Sequence, residues 1–250
     1  MNIRAVYFDF GFVIGYPRPG IDRKFFYLDW HGIETLYHDP EMAMYFRPGV
    51  TPKDVETFFV RELYEPFVHH EQTDLRDPQS NTRLHATLHQ LFTCAVTQSF
   101  VEKLLRHVDT MKYIRVDSAA IEVIQALQSR YMLSLISNMM LPGTLLLTKL
   151  RQANLIDAFH TISISSDVGF LKPHPNIFLH TLHGDGLQPE QVVFVGDTYA
   201  QDIRGAQQVG MHTIWLNSRH ESREGALENP PDAEIQHIQE LLYHPLLTAE

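Results

Sequence analysis

The sequence predicts an α/β fold, a doubly wound parallel sheet with an inserted all-helical segment. Three observations carry this. From Asp117 onward, short apolar runs of strand length alternate with amphipathic segments of helix length. The first apolar run, residues 2–16, is dense enough to form a strand buried on both faces. Between that run and Asp117, strand-like runs vanish and apolar residues fall at helical spacing.

Taken in order, the first run carries Asp9 at its end, with Gly11 two residues later. Residues 15–20, with Pro17 and Pro19, are turn chemistry that stops any continuing strand. Residues 21–112 are helical in pattern and rich in aromatics: Phe25, Leu28 and Trp30, then Val55, Phe58, Phe59, Leu63 and Tyr64. Breaks fall at Asp39-Pro40, Pro48-Gly49 and Asp77-Pro78. Leu84, Leu88, Leu91 and Phe92, then Phe100, Leu104, Leu105 and Val108, mark two more amphipathic segments. The expected domains are residues 1–16 with 113–250 as an α/β core, and residues 17–112 as a helical cap.

Beyond the insert, Asp117 or Ser118 caps a helix whose stripe is Ile121, Ile124 and Leu127. Residues 132–136 form a buried strand ending at Ser137-Asn138, and a helix after Pro142 runs through Leu146 and Leu150. Residues 161–164 read as a short β-branched strand, followed by Gly169-Phe-Leu-Lys-Pro-His-Pro175. A helix through Ile177, Phe178 and Leu182 leads to a strand over 191–195 that ends at Gly196-Asp197. Residues 202–209 are helical, 212–216 form a strand, and a helix over 233–243 closes the chain.

The totals narrow the function. A net charge of −10 argues against a nucleic-acid binder, which needs clustered Lys and Arg. The single cysteine, Cys94, excludes an internal disulfide and a thiolate metal cluster. Its neighbours Leu91, Phe92, Ala95 and Val96 predict a buried helical thiol without a reactive role. The expected location is the cytoplasm, with no membrane span and no cleavable leader. The histidines, 15 in all, are scattered without the spacing of a zinc site.

Polar residues interrupt the alternation just past strand ends: Asp9, Ser137, Lys172, Asp197 and Asp202. In an open parallel sheet these positions meet at one edge, where ligands bind. Singly, each has an ordinary reading. Asp9 and Asp197 could cap turns, Ser137-Asn138 could cap a helix, and Lys172 could be a solvated loop charge. Five at one edge are a constellation.

Four stretches carry a resemblance: Val6-Tyr-Phe-Asp-Phe-Gly-Phe-Val-Ile14, Leu135-Ile-Ser-Asn138, Lys172 in Gly-Phe-Leu-Lys-Pro-His-Pro, and Val195-Gly-Asp-Thr-Tyr-Ala-Gln-Asp202. Together, and in this order, they resemble the haloacid dehalogenase (HAD) superfamily, in its branch of small capped phosphatases with a Rossmann-like core. The resemblance implies that Asp9 is a nucleophile forming an aspartyl-phosphate. It implies a Mg²⁺ ion held by Asp9, the Gly11 carbonyl and Asp197. Asp202 would be a further ligand, or a partner of water or Lys172. Ser137 and the Asn138 amide would hold phosphoryl oxygens, and Lys172 would neutralise Asp9 and the transferring group. The expected partner is a small phosphorylated metabolite, a sugar phosphate among the candidates, taken up as the cap closes about hinges near 16–20 and 113–117.

The pattern departs from the resemblance at Gly11, where the phosphatase motif has a second Asp that protonates the leaving oxygen. General acid catalysis contributes ~10²–10⁴-fold. A phosphatase of anomeric, acyl or aryl phosphates would tolerate the loss, or a cap residue such as His31, His38, His69 or His70 would supply the proton. A dehalogenase also lacks this Asp, but needs no metal and replaces the Gly196-Asp197 pair. A catalytically silent binding or regulatory protein is the third reading. Arg47, Arg61 and Arg83 are candidates for a second anion contact, although a solvated helix face is the simpler role for each.

Overall fold

The computed structural model describes residues 2–21, 29–76, 80–220, 222 and 228–248. Six parallel strands form one sheet in the order β5-β4-β1-β6-β7-β8. They are β1 (Ala5–Phe8), β4 (Met132–Ser137), β5 (Thr161–Ile164), β6 (Val192–Gly196), β7 (His212–Leu216) and β8 (Ala233–Ile235). β1 lies at the centre, with Ala5 opposite both Met132 and Val192. Its residues are completely buried and alternate between two cores. Val6 and Phe8 face α7 (Ser118–Leu127) and α8 (Gly143–Gln152), whereas Ala5 and Tyr7 face α10 (Pro175–Asp185) and α11 (Arg204–Gln208). That two-sided burial is why the strand reads as an unbroken apolar run.

The helical segment lies between β2 (Gly15–Pro17) and β3 (Ile114–Val116). It comprises α1 (Trp30–His38), α2 (Pro40–Ala43), α3 (Pro52–Phe59), α4 (Glu65–Gln72), α5 (Ser80–Thr87) and α6 (Gln98–Val108). α3 starts with a reciprocal cap between Thr51 and Asp54 and runs into α4 through a wide turn over Val60–Tyr64. Leu36, Phe59, Leu63, Phe92 and Leu104 centre an apolar core that also takes in Met140, Leu141 and Leu171 from loops of the α/β part. At the same junction the Leu171 N–H donates to the carbonyl of Leu75 (2.7 Å). Phe25, Leu28 and the break at Asp77-Pro78 lie outside the described residues.

Three expectations need correction. Residues 15–17 continue as a strand, because Gly15, Tyr16 and Pro17 pair antiparallel with Val116, Arg115 and Ile114. Gly15 permits the close packing: a Cβ there would stand 2.6 Å from the Phe10 ring and 2.9 Å from Ile114. The closing helix is instead β8 followed by a tight helical turn over Ile238–Tyr243. Ile214, Trp215 and Leu216 offer an open strand edge, and pairing with it overrides a weak helical pattern. Cys94 lies in a bend and is only half-buried, with partial burial raising its thiol pKa. The helical pattern ends before it, since a tight turn at Leu88–Gln90 closes α5. Among the described residues, no helix is long and apolar enough to cross a membrane.

Candidate active site

The carboxyl ends of the central strands deliver the site. β1 hands Asp9 to the sheet edge, where its N–H still donates to the Val195 carbonyl (3.0 Å). β4 ends on Ser137 and β6 on Gly196, with Asp197 next. Lys172 lies in the loop between α9 (Ser165–Val168) and α10. Asp202 rides on a wide π-type turn over Tyr199–Ile203, a local geometry that recurs at functional sites. Gly196 makes this approach possible, because a Cβ there would lie 2.3 Å from the Cβ of Asp202.

Lys172 is the hub. It is 2% exposed, and its Nζ donates to Oδ1 of Asp9 (2.5 Å) and Oδ1 of Asp202 (2.6 Å). The second oxygen of Asp202 accepts the N–H groups of Asp197 (3.1 Å) and Thr198 (2.9 Å). Asp202 therefore ties the Lys172 loop to the β6 loop. The Asn138 side chain does the same from the other side. Its Nδ2 donates to the Lys172 carbonyl (3.1 Å), and its Oδ1 accepts the Lys172 N–H (2.7 Å). Trp215 Nε1 donates to the Asp197 carbonyl (2.9 Å) and fixes the backbone there.

Arg219 completes the charged set. Its Nη1 lies 2.6 Å from Oδ2 of Asp197, and its guanidinium stands 4.7 Å from the Phe12 ring centroid. Phe12 adopts a left-handed φ of 54°, a costly conformation for a bulky residue, which presents its ring to the cleft.

Ligand atoms of Asp9, Asp197 and Asp202 lie within 4.8 Å of one another. Burial pushes the Asp9 carboxyl up to about 6; Lys172 pulls against this and Asp202 adds to it. Burial, then Asp202 and Asp9, push Asp197 up to about 8, against Arg219 and Lys172. Burial opposes the Lys172 ammonium, but Asp202 and Asp9 together hold its pKa above the ordinary value. Three clustered carboxylates thus face two cations, and the donors are hard oxygens. That set fits a divalent ion such as Mg²⁺, which would reverse the mutual repulsion.

Asp9, Gly11, Ser137, Asn138, Lys172, Asp197 and Asp202 all line one cleft of about 330 Å³. The four candidate histidines do not. His31 and His38 line a separate groove with His107, while His69 and His70 lie on α4, where His70 meets Asp74. Nor do the three arginines reach the cleft. Arg61 and Arg83 pair with Glu62, and Arg47 donates to the His89 carbonyl. Sequence reasoning missed Arg219 and the cleft's apolar end. Arg219 could have been found, since it follows β7 at the same sheet edge. Phe67 and Met111 belong to the insert and carried no such signal.

Residues 53–216, well over half of the chain, match the family model described as haloacid dehalogenase-like hydrolase. The chain is 38% identical over 86 residues to the glyceraldehyde 3-phosphate phosphatase of Methanopyrus kandleri, a segment that is 34% of this chain and 37% of that one. The first curated relatives are thus matched over well under two thirds of their length. The fold is similar to 2-haloacid dehalogenase from Pseudomonas syringae pv. Tomato DC3000, with a TM-score of 0.67 at 22% identity over 96% of this chain and 97% of that one. It is also similar to the magnesium-bound HAD-hydrolase YfnB from Bacillus subtilis, with a TM-score of 0.58 at 22% identity over 99% and 100% of the two chains. These two likenesses are of fold alone, whereas the family model spans the later part of the insert and β4 to β7 of the sheet, with Ser137, Lys172, Asp197 and Asp202 but not Asp9. On that match, the chain belongs to the haloacid dehalogenase-like hydrolases.

Proposed function

We propose that the protein is a Mg²⁺-dependent phosphatase that hydrolyses a small phosphate monoester through an aspartyl-phosphate on Asp9. One observation carries this: a lysine 2% exposed is held between Asp9 and Asp202, with Asp197 beside them. Such a cluster is costly to bury without a cationic task.

In this reading Asp9 attacks phosphorus and the bond to the leaving oxygen breaks. Lys172, held protonated, offsets charge on Asp9 and on the transferring group. Ser137 and the Asn138 N–H hold phosphoryl oxygens, while the Asn138 side chain positions Lys172. Water then attacks the aspartyl-phosphate and restores Asp9. Carboxylates of Asp9 and Asp197 and the Gly11 carbonyl would hold the Mg²⁺ ion, which when bound supplies charge neutralisation for the meeting of two anions. Asp202 already accepts from Lys172 and two backbone amides, so positioning is its first role. Metal-free attack on a carbon–halogen bond would leave Asp197 without a task.

The test is hydrolysis of p-nitrophenyl phosphate with Mg²⁺ or with chelator, alongside Asp9→Asn. Mg²⁺-dependent turnover that vanishes in the variant is expected. Halide release from 2-haloacids without metal would replace this reading with a dehalogenase. Full biological function in Asp9→Asn would replace it with a silent scaffold.

A further inference from the structure

Beyond the charged cluster, the cleft is walled mainly by Phe12, Phe67, Met111, Met139, Met140 and Leu141, with Thr110, Thr198 and Gln201 as polar side chains among them. Phe67 and Met111 come from the helical insert, and Met139 to Leu141 directly follow Asn138. The cleft's cations are Lys172 and Arg219, and each is committed to the cluster, Lys172 to Asp9 and Asp202, Arg219 to Asp197. Among the described lining residues there is no histidine, glutamate, tyrosine or cysteine. This end of the cleft therefore offers no counter-ion for a second anionic group and no acid for the leaving oxygen.

Resting on the phosphatase reading, we propose that the substrate is an aryl phosphate monoester whose single apolar ring occupies this end of the cleft. Size agrees: a cavity of about 150 Å³ takes a benzene ring, so a cleft of about 330 Å³ holds a ring and a phosphoryl group. Chemistry agrees as well. An aryl leaving oxygen resembles the tyrosine phenol, with a pKa of about 10. An alkoxide is closer to hydroxide, whose parent water has a pKa of ~15.7. Only the first leaves readily without a proton donor. A sugar would instead bring several hydroxyls to a wall mostly of methionine, phenylalanine and leucine, where Thr110, Thr198 and Gln201 are the uncharged polar side chains beyond Ser137 and Asn138, so desolvation is compensated only in part.

The steps balance. An Asp9 oxygen bonds to phosphorus as the bond from phosphorus to the aryl oxygen breaks. The electron pair stays on the phenolate, which is protonated by solvent. Water then bonds to phosphorus and the bond to Asp9 breaks; one water proton stays on inorganic phosphate and the other returns to solvent, replacing the one the phenolate took.

The experiment compares kcat/KM with Mg²⁺ for phenyl phosphates of graded phenol pKa, cyclohexyl phosphate, glyceraldehyde 3-phosphate and acetyl phosphate. Phenyl phosphate should exceed cyclohexyl phosphate by ~10²-fold or more, the worth of a missing acid, and rates should fall steeply as phenol pKa rises. Gly11→Asp should narrow that gap by roughly 10-fold, since a Cβ there meets only Asp9 Oδ2, at 3.6 Å. Phe67→Ala should raise KM for phenyl phosphate several-fold. Equal rates for aryl and alkyl esters, a flat dependence on phenol pKa, or preference for glyceraldehyde 3-phosphate would overturn the aryl assignment and leave the phosphatase standing. Inertness toward every phosphate, acetyl phosphate included, would overturn both.

Discussion

Two carboxylates grip the same lysine, and replacing each by its amide should move stability in opposite directions. Asn at position 9 mimics a protonated acid. The Asp9 carboxyl is raised from 3.8 to about 6, first by burial. A raised acid stabilises the fold only while protonated, so its contribution is lost as pH rises from the unfolded value through the folded one. In chelator at pH 7 the ionised group costs about 3 kcal/mol, and at pH 5 about half of that. Asp9→Asn should therefore be more stable than the parent by up to that amount, and less so at pH 5. Asp202 is 1% exposed and accepts from Lys172 and two backbone amides. Its amide would turn donors toward donors. Breaking a buried pair costs ~3–5 kcal/mol, and at ~2–4 °C per kcal/mol the Tm of Asp202→Asn should drop by roughly 6–20 °C. Urea titration and calorimetry of metal-free protein read both effects. An Asp9→Asn variant less stable than its parent at pH 7, or an Asp202→Asn loss below ~1 kcal/mol, would refute the electrostatic account.

Mg²⁺ should raise the Tm, and the increment should grow from pH 5 to pH 8. Protons leave Asp9 near 6 and Asp197 near 8, so below those values they compete with the ion; an increment that shrinks with pH would count against a carboxylate-held metal. Asn138→Ala removes both bonds that fix the Lys172 backbone, and should cost about 1–3 kcal/mol in denaturant titrations while lowering kcat more than it raises KM. A pure KM effect would show that Asn138 touches substrate instead. Arg219→Ala frees Asp197 from its counter-ion, so Mg²⁺ should bind several-fold more tightly by calorimetry; weaker binding would mean that Arg219 shapes the metal site.

Much of the site was legible in the chain because its residues obey one topological rule. Asp9, Ser137 and Asp197 each follow an apolar run, and a parallel sheet gathers such positions at one edge. Lys172 and Asp202 were legible through their motifs. Features governed by long-range pairing were not legible. The ladder of Gly15–Pro17 depends on Ile114–Val116, about a hundred residues away, while locally Pro17 and Pro19 speak for a turn. β8 is strand only because β7 presents a free edge. The aromatic pattern of the insert marked helices, and Phe58, Phe59 and Phe67 all fill one core, yet of the three Phe67 alone also lines the cleft. Helical spacing alone does not separate those two fates.

The ribbon of β2 and β3 also bears on how such a protein could diversify. Chain enters and leaves the helical segment on paired strands, with Pro17 opposite Ile114, so the two ends lie about one strand spacing apart. A segment of different length closes between ends already held together with only a slow growth in entropic cost. The sheet edge with its charged cluster need not change. A graft of this kind meets its main constraint elsewhere, at Met140, Leu141 and Leu171, which complete the core of the present segment. A replacement that failed to cover them would leave a sticky patch beside the cleft, so these three residues and the segment above them are expected to change together.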